Sequence, residues 1–292
     1  MKKIFLVLSF AFIFFSGRAF ALAPCVKLNS GYEMPVLGLG TWTLDNVTAE
    51  RAVYEAVRLG YRLIDTARYY GNEKGVGQGV RRAISEGLIK REEIFVTSKI
   101  VPGFFLDPDK AIDESNKALG LGYIDLMLIH QPGHGDEELY KALERGVKAG
   151  KIKSIGISNY YWPEDFERIK KIASITPAVV QNENHIYYQN KSLQKYLERY
   201  GVFIESWYPF GGRGHTRENF NNESVKKIAA AHGKTPAQII LRWQVQDGYI
   251  TIPGSSNPAH IAENINIFDF ELTPAELKTL QALNENRRYE SW

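Results

Sequence analysis

The chain has 292 residues, 44% hydrophobic and 24% charged, a globular make-up that excludes a disordered or fibrous protein. Its formal charge of +3 sits at one end: the first 21 residues hold Lys2, Lys3 and Arg18 and no acidic residue, and beyond them 33 basic residues face 33 acidic ones. No basic stripe is left for nucleic acid, and the single cysteine, Cys25, excludes an internal disulfide and a cysteine-rich metal site.

Residues 1–21 read as an export signal. Lys2 and Lys3 precede an apolar run from Ile4 to Phe15, broken only by Ser9, and Ala19-Phe20-Ala21 offers small residues around a cleavage point. The run is too short to span a bilayer comfortably, so no stable membrane span is expected after processing. The mature chain is then expected to be periplasmic or secreted; an uncleaved membrane anchor, a buried N-terminal helix and cytoplasmic retention are the alternatives. Pro24 directly before Cys25 argues against a lipoprotein signal.

From residue 26 the chain reads as one domain reaching residue 292. Val26 to Met34 suits a short hairpin around Asn29-Ser30-Gly31. Eight short apolar runs follow as candidate strands: 36–40, 63–65, 94–99, 124–130, 152–158, 178–181, 202–207 and 249–253. Helical patterns separate them at 48–59, 72–86, 109–119, 136–149, from Pro163, then at 191–200, 224–231, 237–245, 258–264 and 273–284. Thr235-Pro236 reads as a cap followed by proline in the first turn. Gly75, Gly77 and Gly79 fall inside a helical pattern, so they suit close helix packing better than a phosphate loop. Eight alternating units make an α/β fold of the (β/α)8 TIM-barrel type the economical arrangement, with a doubly wound open sheet as the alternative.

The residues with chemistry fall at strand ends. Asp65, Lys99, His130, Ser158 with Asn159, Gln181 and Trp207 close the second to seventh candidate strands. In a barrel these ends share one rim, where active sites are assembled. A dispersed pair such as Asp65 and His130 lacks the ligand number for a metal centre, so no metal is expected.

These segments also carry a resemblance. Gly38-Leu39-Gly40-Thr41-Trp42, Asp65-Thr66-Ala67-Arg68-Tyr69-Tyr70-Gly71-Asn72-Glu73, Leu128-Ile129-His130-Gln131-Pro132, Gly156-Ile157-Ser158-Asn159-Tyr160 and Ile252-Pro253-Gly254-Ser255-Ser256-Asn257-Pro258 together resemble the aldo-keto reductase family, over nearly the whole chain after residue 26. The resemblance implies a barrel that reduces aldehydes or ketones with NADP or NAD extended across its rim. It implies Asp65, Tyr70, Lys99 and His130 as the catalytic tetrad, with Tyr70 as proton donor. It further implies contacts of Ser158, Asn159 and Gln181 with the nicotinamide amide, stacking of Trp207 on its ring, a phosphate contact at Ser255, and adenine contacts at Glu263 and Asn264.

The tetrad makes chemical sense. Hydride arriving at a carbonyl carbon leaves negative charge on oxygen, which needs a proton and donors already in place. Lys99 is expected to lower the pKa of Tyr70, Asp65 to pair with Lys99, and His130 to donate to the substrate oxygen. Trp42, Tyr69, Phe105, Tyr160 and Trp162 are candidates for an aromatic substrate wall, Trp42 first among them. Two departures concern the cofactor. Gly254 and His260 stand where the family commonly has a lysine and an arginine that meet the 2′-phosphate of NADP, and Val180 replaces the usual Asn before Gln181. Two other readings stand beside the reductase: a lyase or isomerase using Lys99 as a Schiff-base nucleophile, and a non-catalytic regulatory or sensor subunit that binds the nicotinamide cofactor.

Overall fold

The apolar runs are rich in Ile, Val and Leu without a polar alternation, as strands covered on both faces require. In the computed structural model they form parallel strands, each followed by helix. The structure describes residues 22–103 and 107–291; the expected export signal at 1–21 and Phe105 lie outside the described residues.

A hairpin comes first, β1 (Cys25–Lys27) with β2 (Glu33–Pro35). The barrel strands are β3 (Leu39–Gly40), β4 (Leu63–Asp65), β5 (Phe95–Ile100), β6 (Ile124–Ile129), β7 (Ile152–Ser158), β8 (Val179–Glu183), β9 (Phe203–Trp207) and β10 (Ile250–Thr251). Each pairs with the next in parallel, and bridges from Leu37 to Thr251 and from Gly40 to Gly254 bring the first strand against the last. The expected TIM barrel is therefore the observed fold. Its outer layer holds α1 (Asn46–Arg58), α2 (Glu73–Ser85), α3 (Pro108–Leu119), α4 (Asp136–Lys148), α5 (Pro163–Ile172), α6 (Lys191–Leu197), α7 (Thr216–Asn221), α8 (Glu223–His232), α9 (Pro236–Gln246), α10 (Pro258–Ile265) and α11 (Pro274–Gln281). Helix α7 has no counterpart in the apolar pattern: Thr-Arg-Glu-Asn-Phe-Asn offers one apolar side chain in six. Thr235 does cap α9, in a box with Gln238, and Thr273 caps α11 in the same way with Glu276.

Alternation along each strand divides the apolar residues into two cores. Leu63, Phe95, Leu126, Leu128, Val179 and Ile250 pack inside the barrel. Ile64, Val96, Met127, Ile155, Val180 and Ile204 pack outward against the helices. The hairpin plugs one mouth: Leu28 and Met34 join the inner core, and the Ser30 and Ser154 hydroxyls meet at 2.7 Å. Substrate access is left to the opposite mouth, where the strands end.

The glycines of α2 serve close packing. A methyl group on Gly75 would lie 2.1 Å from the Asn46 carbonyl oxygen of α1, and one on Gly77 2.0 Å from that of Leu119 in α3. Alanine raises helix propensity by about 1 kcal/mol, whereas overpacking typically costs about 1–3 kcal/mol, so sterics decide the sign. We expect Gly77→Ala to lower the urea midpoint with an unchanged m-value, a loss of about 2 kcal/mol. A raised midpoint would mean that α2 can retreat from α3.

Candidate active site

The loop after β4 curls back on itself, and this decides which tyrosine reaches the barrel axis. Asn72 holds the curl: its side-chain nitrogen donates to the Thr41 and Leu44 carbonyls at 2.8 and 3.0 Å, and its oxygen accepts from the Thr66 hydroxyl at 2.7 Å. A 3₁₀ turn at Arg68–Tyr70 follows, closed by Gly71 at φ +69°. Tyr70 thereby turns inward, whereas Tyr69 stays exposed at the rim.

Beneath Tyr70 lies Lys99, from β5, with 0% of its surface exposed. Its ammonium donates to Asp65 Oδ1 at 2.7 Å, to the Thr66 carbonyl at 2.9 Å and to the Tyr70 oxygen at 3.1 Å. An ammonium has three N–H donors, so this geometry uses all of them. Burial works against the charge, but Asp65 and Tyr70 together raise the lysine above its ordinary value. A cationic lysine with no free donor cannot be the neutral amine that Schiff-base chemistry needs, which removes the lyase reading.

The Tyr70 pKa departs from expectation. Lys99 does pull it down, but burial is the larger effect and Asp65 adds to it, so the phenol is pushed up to about 12. Tyr70 thus holds its proton at neutral pH. Because Lys99 donates to the phenol oxygen, the hydroxyl hydrogen must point elsewhere.

His130, just past β6, lies with its ring centroid 5.6 Å from that of Tyr70. Burial first, and Lys99 second, depress its pKa to about 3, so the imidazole is neutral. Its Nδ1 is buried without a hydrogen-bond partner among the described residues. An orphaned lone pair is less costly there than an orphaned N–H, which puts the proton on Nε2, the ring nitrogen left to face the cavity.

These groups open on a cavity of about 290 Å³ lined by Trp42, Tyr69, Tyr70, Val101, His130, Gln131, Ser158, Asn159, Gln181, Trp207 and Tyr208. Most of its wall is aromatic. Asn159, at φ +66°, links two of its sides. It donates to the His130 carbonyl at 2.8 Å and accepts from Trp207 Nε1 at 3.1 Å, which fixes the indole plane. Ser158 donates to the Gln181 carbonyl at 2.8 Å. Gln181 donates from its amide nitrogen to Asp65 Oδ2 at 2.8 Å and to Glu205 Oε2 at 2.7 Å.

A groove of about 470 Å³ shares Trp42 and Tyr208 with this cavity and runs past Arg213, Gly254, Ser255, Ser256, Asn257 and His260 to the start of α10. The joined cleft fits an extended dinucleotide: it has a fixed aromatic plane and an oriented amide at one end, and hydroxyls with a cation at the other. A bound nicotinamide would have Trp207, Gln181, Ser158 and Asn159 at hand, and its phosphates Ser255 and Arg213.

Several expected residues stand elsewhere. Tyr160 is fully buried outside the cavity, donating to Asp136 Oδ2 at 2.7 Å, and Trp162 is 63% exposed before α5. Neither belongs to the aromatic wall: beyond the strand end Tyr160 packs in the outer core, and Trp162 stands exposed to solvent. Glu263 and Asn264 do not line the groove: the Glu263 carboxylate accepts from the Thr235 hydroxyl at 2.5 Å, and Asn264 is buried. Tyr208 and Arg213 were missed. Tyr208 sits between Trp207 and Pro209 at φ +53°, a conformation unusual for a bulky residue. His185 is buried against Glu183 and the Tyr289 ring, where it anchors the C-terminal tail. Among the described residues no cluster of three metal-ligating side chains occurs, and no helix is long and apolar enough to cross a membrane.

Comparison with known proteins agrees with this geometry. The model of the aldo/keto reductase family matches residues 36–285. An NAD(P)H-dependent D-xylose reductase I,II of Candida tropicalis is 41% identical, with 91% of this chain and 94% of the relative covered. A 9,11-endoperoxide prostaglandin H2 reductase of Trypanosoma cruzi is 39% identical, covering 90% of this chain and 93% of the relative. The crystal structure of a Bombyx mori aldo-keto reductase in complex with NADP superposes with a TM-score of 0.85 at 33% identity, covering 93% of this chain and 96% of that one. The chain belongs to the aldo/keto reductase family.

Proposed function

We propose that this enzyme reduces aldehydes or ketones to alcohols, with Tyr70 delivering the proton and Lys99, Asp65 and His130 preparing the site. The observation that carries this reading is the chain of contacts from Asp65 through Lys99 to Tyr70, at 2.7 and 3.1 Å, opening on the cavity that His130 lines. The reduced nicotinamide supplies the hydride.

The chain's own residues do the rest. Neutral His130 donates from Nε2 to the carbonyl oxygen and orients it without adding a full charge. The Tyr70 proton points away from Lys99, toward that same oxygen. A phenol near pKa 12 keeps its proton in the resting enzyme and gives it up to an alkoxide-like oxygen, which is far more basic. The phenolate then left faces an ammonium already at hydrogen-bond distance, so the charge needs no new solvent arrangement. Asp65 keeps Lys99 aimed and charged. The walls of Trp42, Tyr69, Val101, Trp207 and Tyr208 exclude water and favour carbonyl compounds whose carbon chains pack on aromatic faces. Arg213 is the one fixed cation among the residues that line the groove, with His260 beside it, which supports use of either dinucleotide.

Three outcomes test this. Tyr70→Phe should lower kcat/KM for carbonyl reduction by about 10²- to 10⁴-fold while dinucleotide affinity, read by tryptophan quenching, changes by less than about twofold; undiminished turnover would remove Tyr70 as the acid. Because His130 is neutral throughout the range, kcat/KM should vary by less than about twofold between about pH 5.5 and 7.5. An activity change centred near the ordinary histidine pKa would contradict that assignment. Exposed His260→Arg should shift the ratio of NADPH to NADH affinity by about tenfold toward NADPH, in line with a charge-assisted hydrogen bond of about 1.5–3 kcal/mol. An unchanged ratio would mean that position 260 does not meet the 2′-phosphate. Gly254→Lys is the less clean probe, since its Cβ would press on the Gly40 carbonyl oxygen at 3.3 Å.

A further inference from the structure

Glu205 is a fully buried titratable group in contact with Gln181 of the cavity wall, and the proposed reaction leaves it unused. It lies on β9 in register with Gln181 on β8 and Ile250 on β10. It also precedes Trp207 by two residues, so both side chains leave the strand on the same face, toward the barrel interior. Its Oε2 accepts from Gln181 at 2.7 Å, and its Oε1 is buried with no hydrogen-bond partner among the described residues.

We infer that Glu205 is a positioning residue for the nicotinamide end of the site: with Asp65 it clamps the Gln181 amide, and it carries a proton that leaves when a cationic ring binds above it. The inference rests on the reading that the nicotinamide occupies the cavity beside Trp207 and Gln181.

The clamp follows from donor counting. Two carboxyl groups offer acceptors, so the amide must turn its nitrogen to them, and both of its N–H groups are then used. Only the Gln181 oxygen is left for the cavity, ready to accept from a carboxamide N–H. The proton follows from charge counting. The groups that face Glu205 are Asp65 from β4, Lys99 from β5 and Gln181 from β8, while β10 presents only Ile250. The single cation is in direct contact with Asp65, so a second anion has no partner of its own. An unpartnered, buried carboxylate oxygen costs more than a neutral hydroxyl. Burial, and then Asp65, push Glu205 up to about 8, with Gln181 and Lys99 opposing, so the group is protonated at pH 7. The oxidised nicotinamide is a cation and the reduced one is not. Only the oxidised form favours the carboxylate, and the released proton passes to solvent.

The test counts protons. NAD⁺ or NADP⁺, and separately NADH or NADPH, are titrated into the full enzyme at about pH 7 in a weakly buffered indicator solution, with tryptophan quenching read in parallel. We expect close to one proton released per oxidised dinucleotide and almost none per reduced one. Oxidised-form affinity should rise by up to about tenfold per pH unit below about pH 8. Glu205→Gln, whose side-chain oxygen still accepts from Gln181, should abolish the release and flatten that pH dependence, with reduced-form affinity within about twofold of the wild type. Glu205→Leu should weaken reduced-form binding by about tenfold, since the amide is then free to turn. Equal proton release by both redox forms of the wild type overturns the inference without any variant, as does release that persists in Glu205→Gln. If neither dinucleotide quenches tryptophan and Tyr70→Phe turns over normally, it is the reductase reading itself that has failed.

Discussion

A lysine ammonium enclosed in the centre of a barrel dictates most of what surrounds it. Removing such a charge from water costs several kcal/mol unless its partners are close and its donors satisfied. Lys99 meets both conditions through Asp65, the Thr66 carbonyl and the Tyr70 oxygen. The consequences spread outward. Tyr70 must hold its hydrogen toward the cavity. His130 cannot bear a second positive charge. Glu205 has no cation left to pair with. Burial comes first and this ion pair second in setting the protonation of three neighbours.

The barrel supplies the geometry that this charge requires. Parallel strands deliver the ends of β4 to β9 to one mouth, while the hairpin packs Leu28 and Met34 into the other. Closure brings Gly40 and Gly254 together, so the loop leading into α10 lies beside the same rim as Trp42 and Tyr208. The cavity for a carbonyl group and the groove for a dinucleotide are two parts of one cleft, joined at those two aromatic residues.

Elements were legible where burial leaves a periodic trace. The eight barrel strands and ten of the helices follow from apolar spacing, and the hairpin from Asn29-Ser30-Gly31. Helix α7 left no trace because it buries little apolar surface. The Tyr160 and Trp162 side chains show the next limit: beyond a strand end, alternation no longer says which way a residue turns, and neither lines the cavity. The direction of the Tyr70 pKa shift shows a third. A neighbouring lysine can be read from a motif, but the loss of water around a phenol depends on every group that encloses it.

The amino-acid order by itself determined the alternating α/β units, the strand-end positions of Asp65, Lys99, His130, Gln181 and Trp207, and the family resemblance, because hydrophobic period and motif are local properties of the chain. Only the tertiary structure decided that Gln181 bridges Asp65 and Glu205, that Tyr208 and Arg213 line the cleft, and that burial outweighs Lys99 at Tyr70. Those facts join residues as far apart as 65, 181 and 205 in one dry space, and electrostatics there depends on distance and on the water displaced, neither of which a linear spacing contains.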